Sequence, residues 1–366
     1  MTTLSHLLVL ALAGLLSLAP APASAVNRIA PDHQHLQYTG RIDDHDPASP
    51  VLSWAGTRIT GNFTGTSLAI MLDDERGQNF YNVYIDGATR PIILQADKGS
   101  KTYVVANGLA PGTHRFMISK RTEGAEGPTV FKGLELDDKA VLLPPPARPT
   151  RRIEFFGDSI TSGMGNEAPD DGRDDLAKDK NNDMSYAALT ARALKAEAHM
   201  TSQSGIGVMI SWFPFTMPDF YDQSNAVGDN DSQWDFTRWT PDVVVINLMQ
   251  NDSWLIGRDH KLQPEPDDAQ RIAAYQAFVS RVRALYPKAY IVCALGSMEA
   301  TRAGSVWPGY VRSAVANLRA SGDARIDTLF FPFTGYGQHP RVKQHQANAA
   351  LLTAFIRRKA GWSQAD

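Results

Sequence analysis

The chain has 366 residues, which is more than one typical domain holds and suggests two domains. Hydrophobic residues make up 43% of it and charged residues 20%, as is ordinary for a globular protein, and the formal net charge is −3. This charge gives no electrostatic reason to expect a nucleic acid or a membrane surface as partner. The single cysteine, Cys293, excludes an internal disulfide and lies in an apolar run, so we expect it in the core.

Residues 1–25 have the pattern of a signal peptide. An apolar run from Leu7 to Leu18 is followed by Ala23-Ser24-Ala25, which fits the small-residue cleavage rule. The run is short for a bilayer span. The segment before it has no Lys or Arg, which departs from the usual pattern. We predict cleavage after Ala25 and export to the periplasm or the cell exterior, in preference to an uncleaved membrane anchor.

Residues 26–143 are predicted to form an all-β domain. Short runs alternate apolar and polar residues and end in turn residues, as at Asn79–Ile85 before Asp86-Gly87, and at Lys101–Val105 before Asn107-Gly108. No stretch here holds a helical period. About eight short strands favour a β-sandwich or jelly roll.

A proline-rich run follows this β pattern. The prolines between residues 144 and 149 cannot donate hydrogen bonds to a sheet or lie inside a helix. Residues 144–150 are therefore predicted to be a short, stiff linker, with the second domain at 151–366.

In the second domain, strand-like and helix-like segments alternate. Strands buried on both faces are predicted at Ile153–Phe156, Val243–Ile246 and Tyr290–Leu295. Helices are predicted at Ser185–Ala198, Ile272–Leu285 and Val342–Ile356. Asp267 or Asp268 is available to cap the second helix. The alternation predicts an α/β domain with a parallel sheet covered by helices on both faces.

Ser159 is the candidate nucleophile. It lies in the Gly-Asp-Ser run at 157–159, directly after a predicted strand, and sites in open α/β sheets lie at the carboxyl ends of strands. Gly157 allows a tight turn, and we interpret Asp158 as holding that turn. An ordinary serine N-cap has the same local pattern, so the tripeptide alone leaves both interpretations open.

A nucleophilic serine needs a base within hydrogen-bond reach. His339 lies in a loop immediately before the last predicted helix, where this kind of fold delivers a base to the serine of the first strand. His345 is the competing histidine, but it falls inside the helical period, where it either packs or faces solvent. We therefore expect His339 to be the base.

Two further residues are candidates for an oxyanion hole, the set of donors that stabilises charge on the reacting carbonyl oxygen. They are Gly205, through its backbone N–H, and Asn251, through its side-chain amide; each follows its own strand-like segment. Taken separately, Gly205 is also compatible with an ordinary tight turn, and Asn251 with a helix cap or an Asx-turn. In order with Ser159 and His339, they form a much more specific constellation.

These four blocks resemble those of the SGNH, or GDSL, hydrolase superfamily. The nucleophile block at 157–167, together with Ser204–Val208 and Trp234-Asp235-Phe236, is similar to the family 2 carbohydrate esterases. The first domain resembles that family at Gly40-Arg41, Ser53–Gly56, Phe63–Gly65, Ile85–Gly87 and Lys120–Glu123. The resemblance covers nearly all of the chain after residue 25.

The resemblance implies a jelly roll packed on a flavodoxin-like SGNH domain. It implies a serine esterase that removes acetyl groups from cell-wall sugars, such as xylan or 6-O-acetyl hexose units, through an acetyl-Ser159 intermediate. His339 is then the base, and the N–H groups of Ser159 and Gly205 and the Asn251 amide form the oxyanion hole. We expect no metal and no cofactor. A general short-chain or lipid acylhydrolase and a non-catalytic carbohydrate-binding protein are the alternatives, and the oligomeric state stays open.

The chain departs from the family pattern in two places. The acid that family members place two or three residues before the histidine is replaced by Gly337 and Tyr336. We therefore expect a Ser–His dyad, with a backbone carbonyl or a remote group orienting the imidazole. The usual Gly-Thr before Asn251 is Met249-Gln250 here.

Two other features have a sequence-based interpretation. Six aspartates crowd residues 170–183, with a spacing that fits no calcium loop, and we predict a solvated surface loop. Several aromatic residues lie near the proposed site blocks and are expected mainly in the core. Trp254, close to Asn251, is our candidate for stacking on a sugar ring.

Overall fold

The computed structural model describes residues 26–226, 232–334 and 338–362. The predicted signal peptide lies outside these residues, as do Tyr336 and Gly337. Among the helices that are described, none is long and apolar enough to cross a membrane.

The first domain is built from antiparallel strands. The described residues 26–143 form eleven of them, more than the sequence pattern predicted. They are β1 (Val26–Ile29), β2 (Gln37–Thr39), β3 (Val51–Leu52), β4 (Arg58–Thr64), β5 (Ser67–Asp74), β6 (Phe80–Ile85), β7 (Ile92–Gln95), β8 (Gly99–Asn107), β9 (Thr113–Lys120), β10 (Thr129–Asp137) and β11 (Leu142–Leu143).

These strands form two sheets that share one core. One sheet has the order β1-β10-β5-β8, with β3 on β10; the other has the order β11-β4-β9-β6-β7, with β2 on β4. Alternate residues of each sheet point inward, so Leu68 and Ile70 of β5 lie in the same apolar cluster as Phe116 and Ile118 of β9. This arrangement confirms the predicted all-β sandwich.

The second domain follows residues 144–150, which form neither strand nor helix. Its strands are β12 (Arg151–Gly157), β13 (Ala196–Ser202), β14 (Val243–Asn247), β15 (Tyr290–Leu295) and β16 (Ile326–Phe330). Its α-helices are α1 (Ser159–Ser162), α2 (Tyr186–Ala193), α3 (Met217–Phe220), α4 (Gln250–Leu255), α5 (Asp268–Leu285), α6 (Trp307–Ala320) and α7 (Val342–Ala360).

The five strands of this domain pair in parallel, in the order β13-β12-β14-β15-β16. Helices α2 and α7 cover one face, where Val243 and Val245 of β14 are buried. Helices α5 and α6 cover the other face, where Val244 and Ile246 are buried together with Cys293. The predicted parallel sheet with two covered faces is confirmed, and Cys293 is a core residue as expected.

One predicted helix is wrong in its extent. Ser185 caps α2 by accepting the N–H of Ala188 at 3.2 Å, but the helix ends at Ala193 and not at Ala198. Lys195 takes a left-handed backbone conformation, with φ of 51°, and β13 begins at Ala196. The alanines there favour a helix locally, whereas pairing with β12 and burial along the whole strand override that preference.

Candidate active site

Ser159 lies at the carboxyl end of strand β12, which pairs with β13 on one side and β14 on the other. Asp158 caps the single turn α1, and its Oδ1 accepts the N–H of Ile160 at 3.0 Å. The turn holds the serine at the sheet edge, with only 3% of its surface exposed. The strand and cap together therefore fix the direction of the Ser159 hydroxyl.

A histidine and a carboxylate extend a hydrogen-bonded series from that hydroxyl. His339 Nε2 lies 2.8 Å from Ser159 Oγ. His339 Nδ1 and the His339 backbone N–H both lie 2.8 Å from Asp174 Oδ2. Since the carboxylate accepts a proton donor at Nδ1, Nε2 is left as an acceptor facing the serine. The competing His345 is buried elsewhere, where its Nδ1 accepts the backbone N–H of Tyr186.

Asp174 is the group that the sequence interpretation missed. We expected a dyad oriented by a carbonyl or a remote group, and Asp174 stands in the position of that remote group, 165 residues before His339. Hydrogen bonds from His339 hold the pKa of Asp174 well below its usual value, so it is ionised at neutral pH. The arrangement has the geometry of a complete Ser–His–Asp triad.

The prediction of a solvated loop at 170–183 is correct for some aspartates and wrong for two. Asp170, Asp171 and Asp175 are exposed. Asp174 turns inward to His339, and the buried Asp183 accepts hydrogen bonds from Ser119 at 2.9 Å in the first domain. Within the described part of the chain, no group of three or more His, Cys, Asp or Glu side chains could hold a metal ion.

Two residues fix the loop that carries Asp174. Gly165 has φ of 59°, and a Cβ at this position would collide with the main chain of Asp174. The buried Arg341 donates to the carbonyl oxygens of Pro169, at 2.9 and 3.1 Å, and of His339, at 3.1 Å. The same guanidinium thus links the acid loop to the segment that carries the base.

The candidate oxyanion donors lie on the other side of Ser159. In the described part of the chain, the backbone N–H groups of Ser159 and Gly205 donate to no protein acceptor. Asn251 Nδ2 donates to Ile206 O at 2.9 Å, which uses one of its two N–H bonds, and its Oδ1 accepts from Trp212 Nε1 at 3.1 Å. These bonds orient the Asn251 amide and leave one donor.

Asp252 connects α4 to the loop after Gly205. Its carboxylate accepts the N–H of Val208 at 3.0 and 3.1 Å and that of Met209 at 2.7 Å. Burial raises its pKa, although these hydrogen bonds oppose the shift. Met249, which stands where the family pattern has Gly, keeps a left-handed backbone with φ of 86°. Met249 therefore adopts a backbone conformation that Gly would adopt freely, and for Met this conformation costs about 1–3 kcal/mol of strain.

Asp158 differs from the other carboxylates around Ser159. It is 1% exposed, and its Oδ2 has no hydrogen-bond partner among the described residues. Burial, together with the charges of Asp252 and Glu123, raises the pKa of Asp158 to about 7. It caps α1 and carries little negative charge in mildly acidic solution.

Two tryptophans border the site in different ways. Trp254 is half-buried against the apolar cluster under α2 and α7, and the Arg258 guanidinium lies 5.4 Å from its ring centroid. Trp212 is 54% exposed, and its Nε1 is anchored on Asn251. The more exposed tryptophan beside the candidate oxyanion donors is therefore Trp212, whereas the sequence singled out Trp254.

Comparison with known proteins agrees with this geometry. Residues 38–146 match the Carbohydrate esterase 2 N-terminal family, and residues 155–361 match the GDSL-like Lipase/Acylhydrolase family. Cellulase/esterase CelE of Acetivibrio thermocellus is 34% identical over 348 residues, a match that covers 90% of this chain and 40% of CelE. An acetylxylan esterase / glucomannan deacetylase of Cellvibrio japonicus is 28% identical over 346 residues and 93% of each chain.

A solved structure covers both domains. It is that of a family two carbohydrate esterase from Clostridium thermocellum in complex with cellohexaose. Its chain is 34% identical to this one, with a TM-score of 0.81, and the match covers 90% of this chain and 100% of that chain. The resemblance noted from the sequence is thereby confirmed. The protein belongs to the family 2 carbohydrate esterases and carries their two domains, an N-terminal β-sandwich and a GDSL-type ester hydrolase domain.

Proposed function

We propose that this chain is an exported serine esterase that removes O-acetyl groups from cell-wall polysaccharides, such as acetylated xylan or 6-O-acetyl hexose units. The observation that carries the proposal is the continuous series Ser159 Oγ, His339 and Asp174, with 2.8 Å at both hydrogen bonds. The names of the Cellvibrio japonicus relatives support an acetylated polysaccharide as the substrate. Export rests on the signal-peptide pattern at 1–25.

In the first step, Ser159 Oγ attacks the acetyl carbonyl carbon and His339 Nε2 takes the serine proton. The carbonyl oxygen becomes negatively charged, and the N–H groups of Ser159 and Gly205 and the free N–H of Asn251 stabilise it. The bond to the sugar oxygen then breaks, and His339 gives that oxygen the proton. The free sugar hydroxyl departs and acetyl-Ser159 remains.

In the second step, water attacks the acetyl group of acetyl-Ser159. His339 takes a proton from the water and returns it to Ser159 Oγ as acetate leaves, so both residues recover their starting states. Asp174 keeps the Nδ1 proton in place and stabilises the imidazolium that forms in both steps. No proton needs to reach Asp174, in keeping with its lowered pKa.

We assign Trp212 as the first candidate for a sugar contact. Its ring is more than half exposed, and its Nε1 is tied to the amide that faces the reacting carbonyl in this proposal. An apolar ring face in this place offers a sugar ring a flat surface to pack on. Trp254 remains a second candidate, on the far part of α4 and with Arg258 over its ring.

The proposal is tested with 4-nitrophenyl acetate, 4-nitrophenyl octanoate and acetylated xylan. We expect acetate release from the xylan and faster turnover of acetate than of octanoate esters. Ser159→Ala is expected to lower kcat by at least about 10⁴-fold, because the nucleophile is lost. Faster turnover of octanoate would instead indicate a general acylhydrolase, and binding of xylan without acetate release would indicate a carbohydrate-binding protein.

A further inference from the structure

A short turn of the first domain lies beside the active site. Residues 123–126 follow β9 and form a 3-10 turn whose Gly124 lies against the main chain of Ala226 so closely that a Cβ would collide with its carbonyl oxygen. Nearby, Trp54 Nε1 donates to Ser224 O at 2.9 Å. The turn therefore packs closely against the segment at Ser224–Ala226 of the second domain.

Glu123 on this turn contacts the residue before Gly205. It is 1% exposed, and its Oε2 accepts the backbone N–H of Ser204 at 2.7 Å. Its Oε1 accepts from Lys180 Nζ at 3.0 Å. Burial opposes ionisation, but the charge of Lys180 and side-chain hydrogen bonds nevertheless lower the pKa of Glu123. Glu123 is thus a buried, ionised carboxylate aimed at the backbone beside an oxyanion donor.

Lys180 has a second carboxylate partner, whereas Glu123 is the one acceptor of the Ser204 N–H among the described residues. Glu126 Oε1 accepts from Lys180 Nζ at 2.5 Å. Burial alone would lower the pKa of Lys180, but the two glutamates raise it above its usual value. If Glu123 is removed, Lys180 keeps Glu126, while the backbone N–H of Ser204 loses its acceptor. The loss is therefore directed to the Ser204–Gly205 backbone.

The same segment of the first domain also contacts the loop that carries Asp174. Arg121 donates to Lys178 O at 3.1 Å and to Lys180 O at 3.2 Å, and it pairs with Glu167. The N–H of Asn182 donates to Arg121 O at 3.0 Å. Residues 121–123 therefore contact one loop on each side of Ser159.

We infer that Glu123 is a positioning residue for the oxyanion hole. By fixing Ser204, it directs the following N–H, that of Gly205, to the charge that develops on the acetyl carbonyl oxygen. It touches neither the substrate nor Ser159. The inference rests on the proposed ester hydrolysis and gives the β domain a part in the reaction through a backbone contact.

The test compares Glu123→Ala, Glu123→Gln and Glu126→Gln in the full chain. The two glutamine variants each remove one charge from Lys180, but only the Glu123 variants change the side chain that accepts the Ser204 N–H. Glu126 lies one step further away, since its Oε2 accepts the backbone N–H of Glu123 at 3.2 Å. Since losing one oxyanion donor costs about 10²–10³ in kcat, we expect Glu123→Ala to lower kcat by about 10², with KM changed by less than about threefold. Glu123→Gln keeps one acceptor oxygen and should lie between it and the wild type. Glu126→Gln should retain kcat within about threefold.

A second measurement is independent of activity. Hydrogen exchange at residues 203–209 should be faster in both Glu123 variants than in the wild type, and unchanged in Glu126→Gln, because only the former loosen Ser204. If Glu123→Ala fails to fold, kcat and hydrogen exchange are compared between Glu123→Gln and Glu126→Gln.

Two results would overturn the inference: a kcat for Glu123→Ala within about threefold of the wild type, or an equal fall in Glu126→Gln, which would assign the effect to the Lys180 cluster. Failure of the proposed function is recognised separately, because the wild type itself would then release no acetate. The exchange data would in that case still report whether Glu123 fixes the loop.

Discussion

The two sides of the Ser159 hydroxyl are built differently. On the base side, side chains act directly: His339 contacts the serine, and Asp174 contacts His339. On the proposed oxyanion side, the N–H groups of Ser159 and Gly205 are the candidate donors, and the buried carboxylates of Glu123 and Asp252 accept the N–H groups of neighbouring residues. In the proposed mechanism, the base side thus depends on the charge of single side chains, whereas the oxyanion side depends on the Asn251 amide and on backbone N–H groups next to those that Glu123 and Asp252 hold.

The largest expected effect in this comparison belongs to Asp174. Asp174→Asn keeps the shape of the side chain but removes the charge that fixes the imidazole tautomer and stabilises the imidazolium. We expect kcat for 4-nitrophenyl acetate to fall by about 10³–10⁴-fold. Steady-state kinetics of the purified variant measure this directly.

Asp175 provides a matched control for that variant. It is the next residue, its side chain is 51% exposed, and it pairs with Arg173 on the surface. Asp175→Asn should keep kcat within about twofold, since exposed pairs contribute little. Equal activity of Asp174→Asn and Asp175→Asn would contradict the triad and return the site to a Ser–His dyad.

On the oxyanion side, Asn251 is the side chain that tests the comparison. Asn251→Ala removes the amide donor and is expected to lower kcat by about 10²-fold with little change in KM. Asn251→Asp keeps an acceptor for Trp212 Nε1 but places a negative charge beside the developing oxyanion, so its kcat should be lower still. An Asn251→Asp variant with wild-type kcat would exclude Asn251 from the oxyanion hole.

Chain order and motif pattern together identified the candidate residues that lie next to regular elements. Ser159 follows a β-branched and aromatic strand, and His339 precedes a periodic helix, so both positions follow from chain order in a parallel sheet. Asp174 lies in a segment without strand or helix period. Asp170 and Asp175 are aspartates of the same segment, so the sequence does not distinguish them from Asp174. The backbone conformation around Gly165 and the contacts of Arg341 determine which aspartate turns inward.

Glu123 was hidden for a related reason. The Lys120–Glu123 run was recognised as similar to the family. The sequence of one domain does not show, however, which backbone group of the other domain a side chain contacts. The strand at Ala196–Ser202 was missed because its alanines match a helix locally, while the pairing with β12 that makes it a strand is a long-range contact. Tertiary contacts decide in both cases.

The smallest expected effect concerns the contrast between two aspartates of the site, Asp174 beside His339 and Asp158 beside Ser159. Asp174 is ionised, whereas burial raises the pKa of Asp158 to about 7 from an ordinary value of 3.8. The folded protein therefore holds a proton on Asp158 that the unfolded chain releases above its own, lower pKa. This group's contribution to stability falls as the pH rises from about 4 to about 7, and then levels off.

Asp158→Asn keeps the cap on Ile160 but has no proton to hold. Its melting temperature relative to the wild type should increase from about pH 4 to about pH 8, by roughly 5 °C or more across that range. Circular dichroism melts at several pH values measure the difference, in which the other titrating groups cancel because both proteins share them. A difference that stays constant with pH would mean that Asp158 is ionised in the folded state, and then both Asp158 and Asp174 would carry charge.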